Sequence, residues 1–302
     1  MKKEKHHSGL RLEAALPYRV LFAIILLLFG LFCLIPFLMV ISVSLTPQNL
    51  IDENGYHLLP QALTTEAYRF IFTYPGRILQ AYGVSIFITV VGTVLNVIIS
   101  AMLAYPLSRM EFRYRSAVSL FVFITMVFGG GTVPYYILIK QYLHMDDKIW
   151  VLIIPQLVVA SNVFLLRIFM QGIPQEIYES ASLDGASEFR IFRSIVLPLV
   201  KPGLATIGLF TALMYWNEVI TGKLFITNEK LLPLQNLLDQ YTQYITYIMT
   251  NGGSSGGLAL TNIPTDGILF AMCLVAAGPM VVVFLFFQKY FVAGLTMGAV
   301  KN

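Results

Sequence analysis

Residues 178–202, "YESASLDGASEFRIFRSIVLPLVKP", interrupt a chain that is otherwise strongly apolar. The stretch opens polar and acidic, breaks at Gly185, turns apolar again and closes on two prolines. Pro174 is placed to open a helix, and Glu176 and Glu179 sit in its first turns, where the helix dipole favours acids. Gly185 directly after Asp184 suits a left-handed position that ends this helix. "ASEFRIFRSIVLPLVKP" then restarts as a second helix, with Phe189, Phe192 and Ile195 or Val196 spaced as one apolar stripe. Pro198 and Pro202 are expected to kink or end it. The expected product is helix, glycine turn, helix, with Ser180, Ala181, Ser182, Ala186 and Ser187 small enough to let a partner approach closely. An amphipathic segment lying on lipid normally carries a basic polar face. This one is acidic in its first half and would be repelled by anionic lipid, so a protein partner is the better reading.

The surroundings make the interruption meaningful. Of 302 residues, 57% are hydrophobic and 12% charged, against about 25% charged in soluble domains. Six stretches reach the roughly 20 apolar residues that a membrane span needs: 20–43, 84–104, 117–139, 149–169, 199–219 and 268–287. The first follows a basic stretch, but it is too long for a signal peptide and lacks a small-residue cleavage site. It reads as an uncleaved span. With the N-terminus inside, fourteen of the 20 lysines and arginines fall on the inner side and six outside, which places both termini in the cytoplasm. The expected fold is therefore an all-α membrane protein of six transmembrane helices, one domain over 1–302. The quoted stretch lies in an inner loop at 170–198, and two outer loops cover 46–81 and 221–267. The second ends in a flexible Gly/Ser run at 251–257.

The motif residues resemble a known family. "ESASLDGASEFRIFRSIVLPLVKPGLA" is similar to the EAA loop of ABC importer permeases, E-A-A-x-x-D-G-A followed by P-x-x-x-P. Glu179, Ser180, Ala181, Asp184, Gly185, Ala186, Pro198 and Pro202 fall on the motif, with Ser180 where the family usually has Ala. "AYPLSRMEFRYRS" (104–116), "YWNEV" (215–219) and "KYFVAGLTMGAVKN" (289–302) resemble carbohydrate-importer permeases of the MalG type. "GGGTVPYYILIKQYL" (129–143) and "LLPLQNLLDQY" (231–241) are similar to the LplC/YtcP-like subgroup of Gram-positive bacteria. The resemblance covers most of 80–302. It implies the type I importer permease fold in the plasma membrane, and a second homologous permease subunit as partner. It also implies two cytoplasmic ATPase subunits that receive residues 179–187, an extracellular solute-binding protein, and a sugar or oligosaccharide as substrate. Gly294, Thr296, Gly298 and Ala299 would reach the ATPases. ATP and Mg would be bound by those subunits, and no cofactor or nucleic acid is expected on this chain.

The residues agree independently. A chain that pumps with ATP by itself needs G-x-x-x-x-G-K-[ST]. The single Gly-Lys pair here, Gly222-Lys223, is followed by Leu224, so no enzyme activity is expected. A secondary transporter would need acidic or basic groups deep in a span, and the six stretches hold none there. A permease for a non-sugar solute stays open, because the loop motif alone does not name a cargo. Asn96 and Asn162 are expected to hydrogen-bond between helices. Asn162, Asn217 and Glu218, with Gly130 in the glycine-broken third stretch, are candidates for the translocation path. The two cysteines, Cys33 and Cys273, lie in apolar runs and read as buried small hydrophobes rather than a disulfide or metal pair. The scattered histidines have no metal-ligand spacing.

Overall fold

The computed structural model describes residues 16–251 and 264–299, leaving out the side chains of 16–19, 248, 249, 251, 287 and 289–299. In chain order the helices are α1 (Leu16–Ser44), α2 (Gln48–Asn54), α3 (Glu66–Ile71), α4 (Pro75–Ser108), α5 (Arg115–Val127), α6 (Thr132–Ile137) and α7 (Ala160–Gln171). They continue with α8 (Gln175–Leu183), α9 (Glu188–Ile191), α10 (Leu197–Leu199), α11 (Lys201–Trp216), α12 (Ile220–Phe225), α13 (Leu234–Asn251) and α14 (Thr265–Ala299). Two compact units divide the chain: 1–70 with 261–274, and 71–260 with 275–302.

In the first unit α1 leaves its apolar side chains exposed from Val20 to Leu38, a surface suited to lipid. The segment after it is tied locally. Gln48 Nε2 donates to Asp266 Oδ2 at 2.8 Å and Tyr56 Oη to Asp266 Oδ1 at 2.9 Å, which fixes α2 against the first turn of α14.

The second unit is organised by α4. Its 34 residues span about 51 Å at 1.5 Å per residue, well beyond the ~30 Å hydrocarbon core. Ile78, Ala81, Ser85, Ile88, Gly92, Asn96, Ser100, Ala104 and Leu107 are buried along it. Their spacing of three and four makes one continuous stripe. Against that stripe pack α7 and α11, so the core of this unit is a three-helix seam. Close approach is built in by glycine. A Cβ at Gly92 would come within 2.5 Å of the Tyr215 ring, and one at Gly203 within 2.7 Å of Phe169.

Three of the expected spans are broken rather than continuous. The 117–139 stretch becomes α5 and the segment Thr132–Tyr142, bent by 107°. Gly129–Gly131 permit the turn, and Gly131 takes φ +81°. The 149–169 stretch becomes 3-10 turns, with Pro155 near the start of the second, followed by α7 at 48°. The fifth becomes Glu188–Leu199 and α11, bent 78° between Pro198 and Pro202. Among the described residues three helices are long and apolar enough to cross a membrane, or up to six segments if each bent pair is one span. The 221–267 segment, expected as a loop, contains α13, which buries Leu234, Leu237, Leu238 and Ile245 on one helical face. The Gly/Ser run lies outside the described residues, apart from Asn251 at the end of α13.

Gly92→Ala should destabilise the protein by about 1–3 kcal/mol, because the added methyl overpacks a fully buried ring. Thermal unfolding of the purified chain in detergent measures the loss, and a Tyr215→Leu change in the same background should recover part of it.

Candidate functional site

Residues 170–199 fold as the sequence pattern predicts, with refinements. Pro174 is the N-cap of α8. Its C-terminus closes in a Schellman arrangement: the Gly185 amide donates to Ser182 O and the Ala186 amide to Ala181 O, both at 3.0 Å. This requires a left-handed residue at Gly185, which takes φ +75°. The helix covers 175–183, so Glu179 to Leu183 form its second half and Asp184 to Ala186 its stop. Ser187 then caps α9, accepting from the Arg190 amide at 3.4 Å. A π-helical turn at Phe192–Val196 leads into the prolines.

α8 has two faces. Tyr178 and Ala181 are its only buried residues. Outward lie Glu176, Glu179, Ser180 and Leu183, followed by Asp184 and Gly185, all exposed. Among the expected docking residues, Ala181 is therefore a packing residue, and Ala186 is half-buried. Leu183, 88% exposed, is the residue that motif reading passed over. An apolar side chain between two acids was the available signal. In the second helix the buried residues are Ile191 and Val196, five apart, and Phe189 is exposed. The π-helical turn widens the repeat from four to five and so displaces the expected stripe.

The site is anchored to the end of α4. The Arg109 guanidinium lies over the Tyr178 ring at 4.0 Å, and Arg109 Nε faces Glu111 Oε2 at 3.5 Å. Gln175 Nε2 donates to Glu111 Oε1 at 2.8 Å. The backbone amide of Glu111 and then Gln175 hold its carboxyl below the usual carboxylate range. On the other arm Tyr105 Oη donates to Glu188 Oε2, and the Tyr105 and Phe192 rings sit 5.1 Å apart.

The candidates for the path are not gathered into one place. Asn162 is buried in a triangle: its Nδ2 donates to Asn96 Oδ1 at 3.1 Å and Thr211 Oγ1 at 2.9 Å, and Thr211 Oγ1 donates to Asn96 Oδ1 at 3.2 Å. Asn96 Nδ2 completes it by donating to the carbonyls of Gln156 (3.0 Å) and Leu157 (3.1 Å) at the break before α7. The expected interhelical role of both asparagines is what the geometry displays. Gly130 is exposed at the 107° bend. Asn217 is exposed, its Nδ2 returned to Leu213 O at 2.9 Å. Glu218 is half-buried, accepting from Gln156 Nε2 at 2.9 Å and the Thr221 amide at 2.8 Å. Gly294, Thr296, Gly298 and Ala299 lie on the backbone of α14, and their side chains lie outside the described residues.

Elsewhere a clasp joins two connecting segments. Asp147 Oδ1 accepts from the amides of Thr227 at 2.6 Å and Asn228 at 2.8 Å, and Oδ2 accepts from the Thr227 hydroxyl. These bonds, the hydroxyl's foremost, hold the Asp147 carboxyl below the usual range.

Apolar helices, one break capped by buried polar side chains and one exposed acidic helix-turn define a helical membrane protein. Comparison with known proteins names the family. Residues 92–297 match the binding-protein-dependent transport system inner membrane component, and the chain belongs to that family. It is 35% identical over 281 residues to the polygalacturonan/rhamnogalacturonan transport system permease protein YtcP of Bacillus subtilis (strain 168), covering 92% of this chain and 96% of that one. Protein LplC of the same organism is 35% identical over 273 residues, 90% and 91% of the two chains. Among solved structures, a bacterial ABC transporter involved in the import of the acidic polysaccharide alginate superposes with TM-score 0.75 at 26% identity, covering 91% of this chain and 96% of that chain. The chain is thus a membrane permease component and not a catalytic subunit.

The clasp carries a pH dependence of definite sign. A carboxyl with a lowered folded pKa adds stability above its unfolded value of about 3.9, and this is lost as pH falls through the lower folded value. The Thr227 and Asn228 amides should be protected from hydrogen exchange at pH 5–7, lose that protection only in stronger acid, and lack it at all pH values in Asp147→Ala.

Proposed function

We propose that this chain is the transmembrane permease subunit of an ATP-driven importer for a sugar or oligosaccharide, working by alternating access. The observation that carries the reading is the exposed helix-turn at Glu179–Ala186, closed by Gly185 and held outside the apolar helices. Such a face, acidic at Glu179 and Asp184 with Leu183 between them, fits a cleft lined by basic and apolar groups on a cytoplasmic ATPase. Two ATPase subunits would bind ATP and Mg and do the hydrolysis, and one would take this loop. A second homologous permease subunit would take the other and complete the path, to which an extracellular solute-binding protein delivers cargo. The topology this requires is six crossings, each bent pair counted as one, with 170–198 and both termini in the cytoplasm and 46–81 and 221–267 outside. Gly294, Thr296, Gly298 and Ala299 would then lie near the ATPases. Gly130, Asn217 and Glu218 would lie along the path, with Asn162 behind its wall.

The carbohydrate assignment rests on relatives named for polygalacturonan/rhamnogalacturonan and for arabinooligosaccharides, and on the alginate transporter. The Bacillus relatives support the plasma membrane of a Gram-positive bacterium as its location.

Asp184→Lys reverses a charge on the docking face. Gly185→Pro imposes φ near −65° where the turn needs a positive angle. Both should abolish uptake of labelled oligosaccharide by the reconstituted transporter while sugar binding to the external receptor is unchanged. Uptake at the parental rate in either variant would overturn the coupling role of this loop.

A further inference from the structure

The two arms of the helix-turn-helix do not float beside the bundle, because both are gripped by the same end of one helix. Tyr105 and Arg109 are four residues apart, the last at the C-cap of α4, so they share a face. Arg109 covers the ring of Tyr178 on α8 at 4.0 Å. Tyr105 hydrogen-bonds Glu188 on α9 and packs on Phe192. The Glu111–Gln175 bond doubles the first grip at the start of α8.

We infer that Tyr105 and Arg109 form the joint through which movement of residues 175–192 is delivered to α4, and so to the helices that line the path. This rests on the coupling reading above and names the residues that transmit the stroke.

Three features of the structure carry the inference. First, α8 has little else to push with. Tyr178 and Ala181 are its only buried side chains, and the Tyr178 hydroxyl reaches Met170 O only at 3.4 Å. A displacement of the exposed face therefore leaves the helix through the Tyr178 ring. Second, α4 is the element best able to pass displacement on. Its buried stripe runs from Ile78 to Leu107, and the Asn96 triangle ties it to α7 and α11. Third, Pro106 lies between the two gripping residues. It has no N–H for the Met102 carbonyl, so the last turn of α4 is held by fewer hydrogen bonds than the rest and bends first. The sequence "YPLSR" at 105–109 thus reads as grip, hinge, grip. Arg109 suits its part, since a planar guanidinium stacks on an aromatic face while its Nε still reaches a carboxylate. These are positioning residues, because they touch neither cargo nor nucleotide.

The test uses the complete transporter, with partner permease, ATPases and binding protein, reconstituted in liposomes. Hydrolysis of ATP and uptake of the cognate oligosaccharide are measured together. Tyr178→Leu and Arg109→Met, which remove the ring and the cation, should leave the assembled complex hydrolysing ATP. Cargo moved per ATP should fall roughly three- to thirtyfold, the range of coupling changes along such networks. Tyr178→Phe, which keeps the ring face, should stay near the parental ratio, and Arg109→Lys should fall between. An unchanged ratio in Tyr178→Leu and Arg109→Met overturns the joint while leaving the docking reading intact. Loss of assembly or of all hydrolysis in those two variants also overturns it, since they would then serve docking or folding rather than transmission. Failure of the docking reading shows separately, as a parental ratio in Asp184→Lys.

Discussion

Every break in these helices frees backbone groups that lipid cannot satisfy, and most of the second unit can be understood from how that demand is met. An unpaired carbonyl in hydrocarbon costs several kcal/mol, whereas an interhelical hydrogen bond in a membrane protein adds on average about 0.6 kcal/mol. The polar groups of the core are therefore worth little as glue and a great deal as caps. Asn96 spends both its donors on the carbonyls of Gln156 and Leu157, where the 3-10 turns give way to α7. Tyr215 Oη donates to Ile153 O at 2.9 Å, just upstream. The same logic operates at Pro279 in α14, which leaves the carbonyl four residues earlier without its helical donor. Tyr82 Oη donates to that carbonyl, Val275 O, at 2.7 Å, and Trp216 Nε1 to the next, Ala276 O, at 2.9 Å.

These caps explain why residues of such different character recur along the seam. Gly92 is small because Tyr215 must cross α4 to reach Ile153. Thr211 both accepts from Asn162 and donates to Asn96, so the triangle leaves no hydroxyl idle. The break before α7 is thus carried by side chains from α4 and α11.

How much of this was legible in the sequence follows from what kind of signal each part leaves. The apolar runs locate the crossing material, since bilayer thickness sets their length. Glycine after Asp184 locates the turn, since the Schellman bonds need a left-handed residue there. What period and composition could not convey was continuity. A run such as 149–169 remains apolar whether it is one helix or a 3-10 turn, a bend and a helix, and Pro155 alone does not say which. The sequence of α13 reads as loop because its apolar positions, Leu234, Leu237, Leu238 and Ile245, are outnumbered by Gln, Asn, Thr and Tyr. Its apolar stripe is narrow, and only the packing partner reveals it. Ala181 has the opposite problem: a small residue in a docking motif looks available, and only the tertiary structure turns it inward.

The helix-turn-helix differs from the seam in the kind of contact that holds it. Inside the bundle, polar contacts satisfy groups that have no alternative, so they resist change. At the end of α4 the contacts are a cation over a buried ring, a phenol on an exposed carboxylate and two tilted aromatics. Glu111 and Glu188 keep solvent as an alternative partner, so their bonds can shift without leaving an orphaned carboxylate. The chain thus places charged and aromatic contacts where α4 leaves the apolar seam, and amide caps within it.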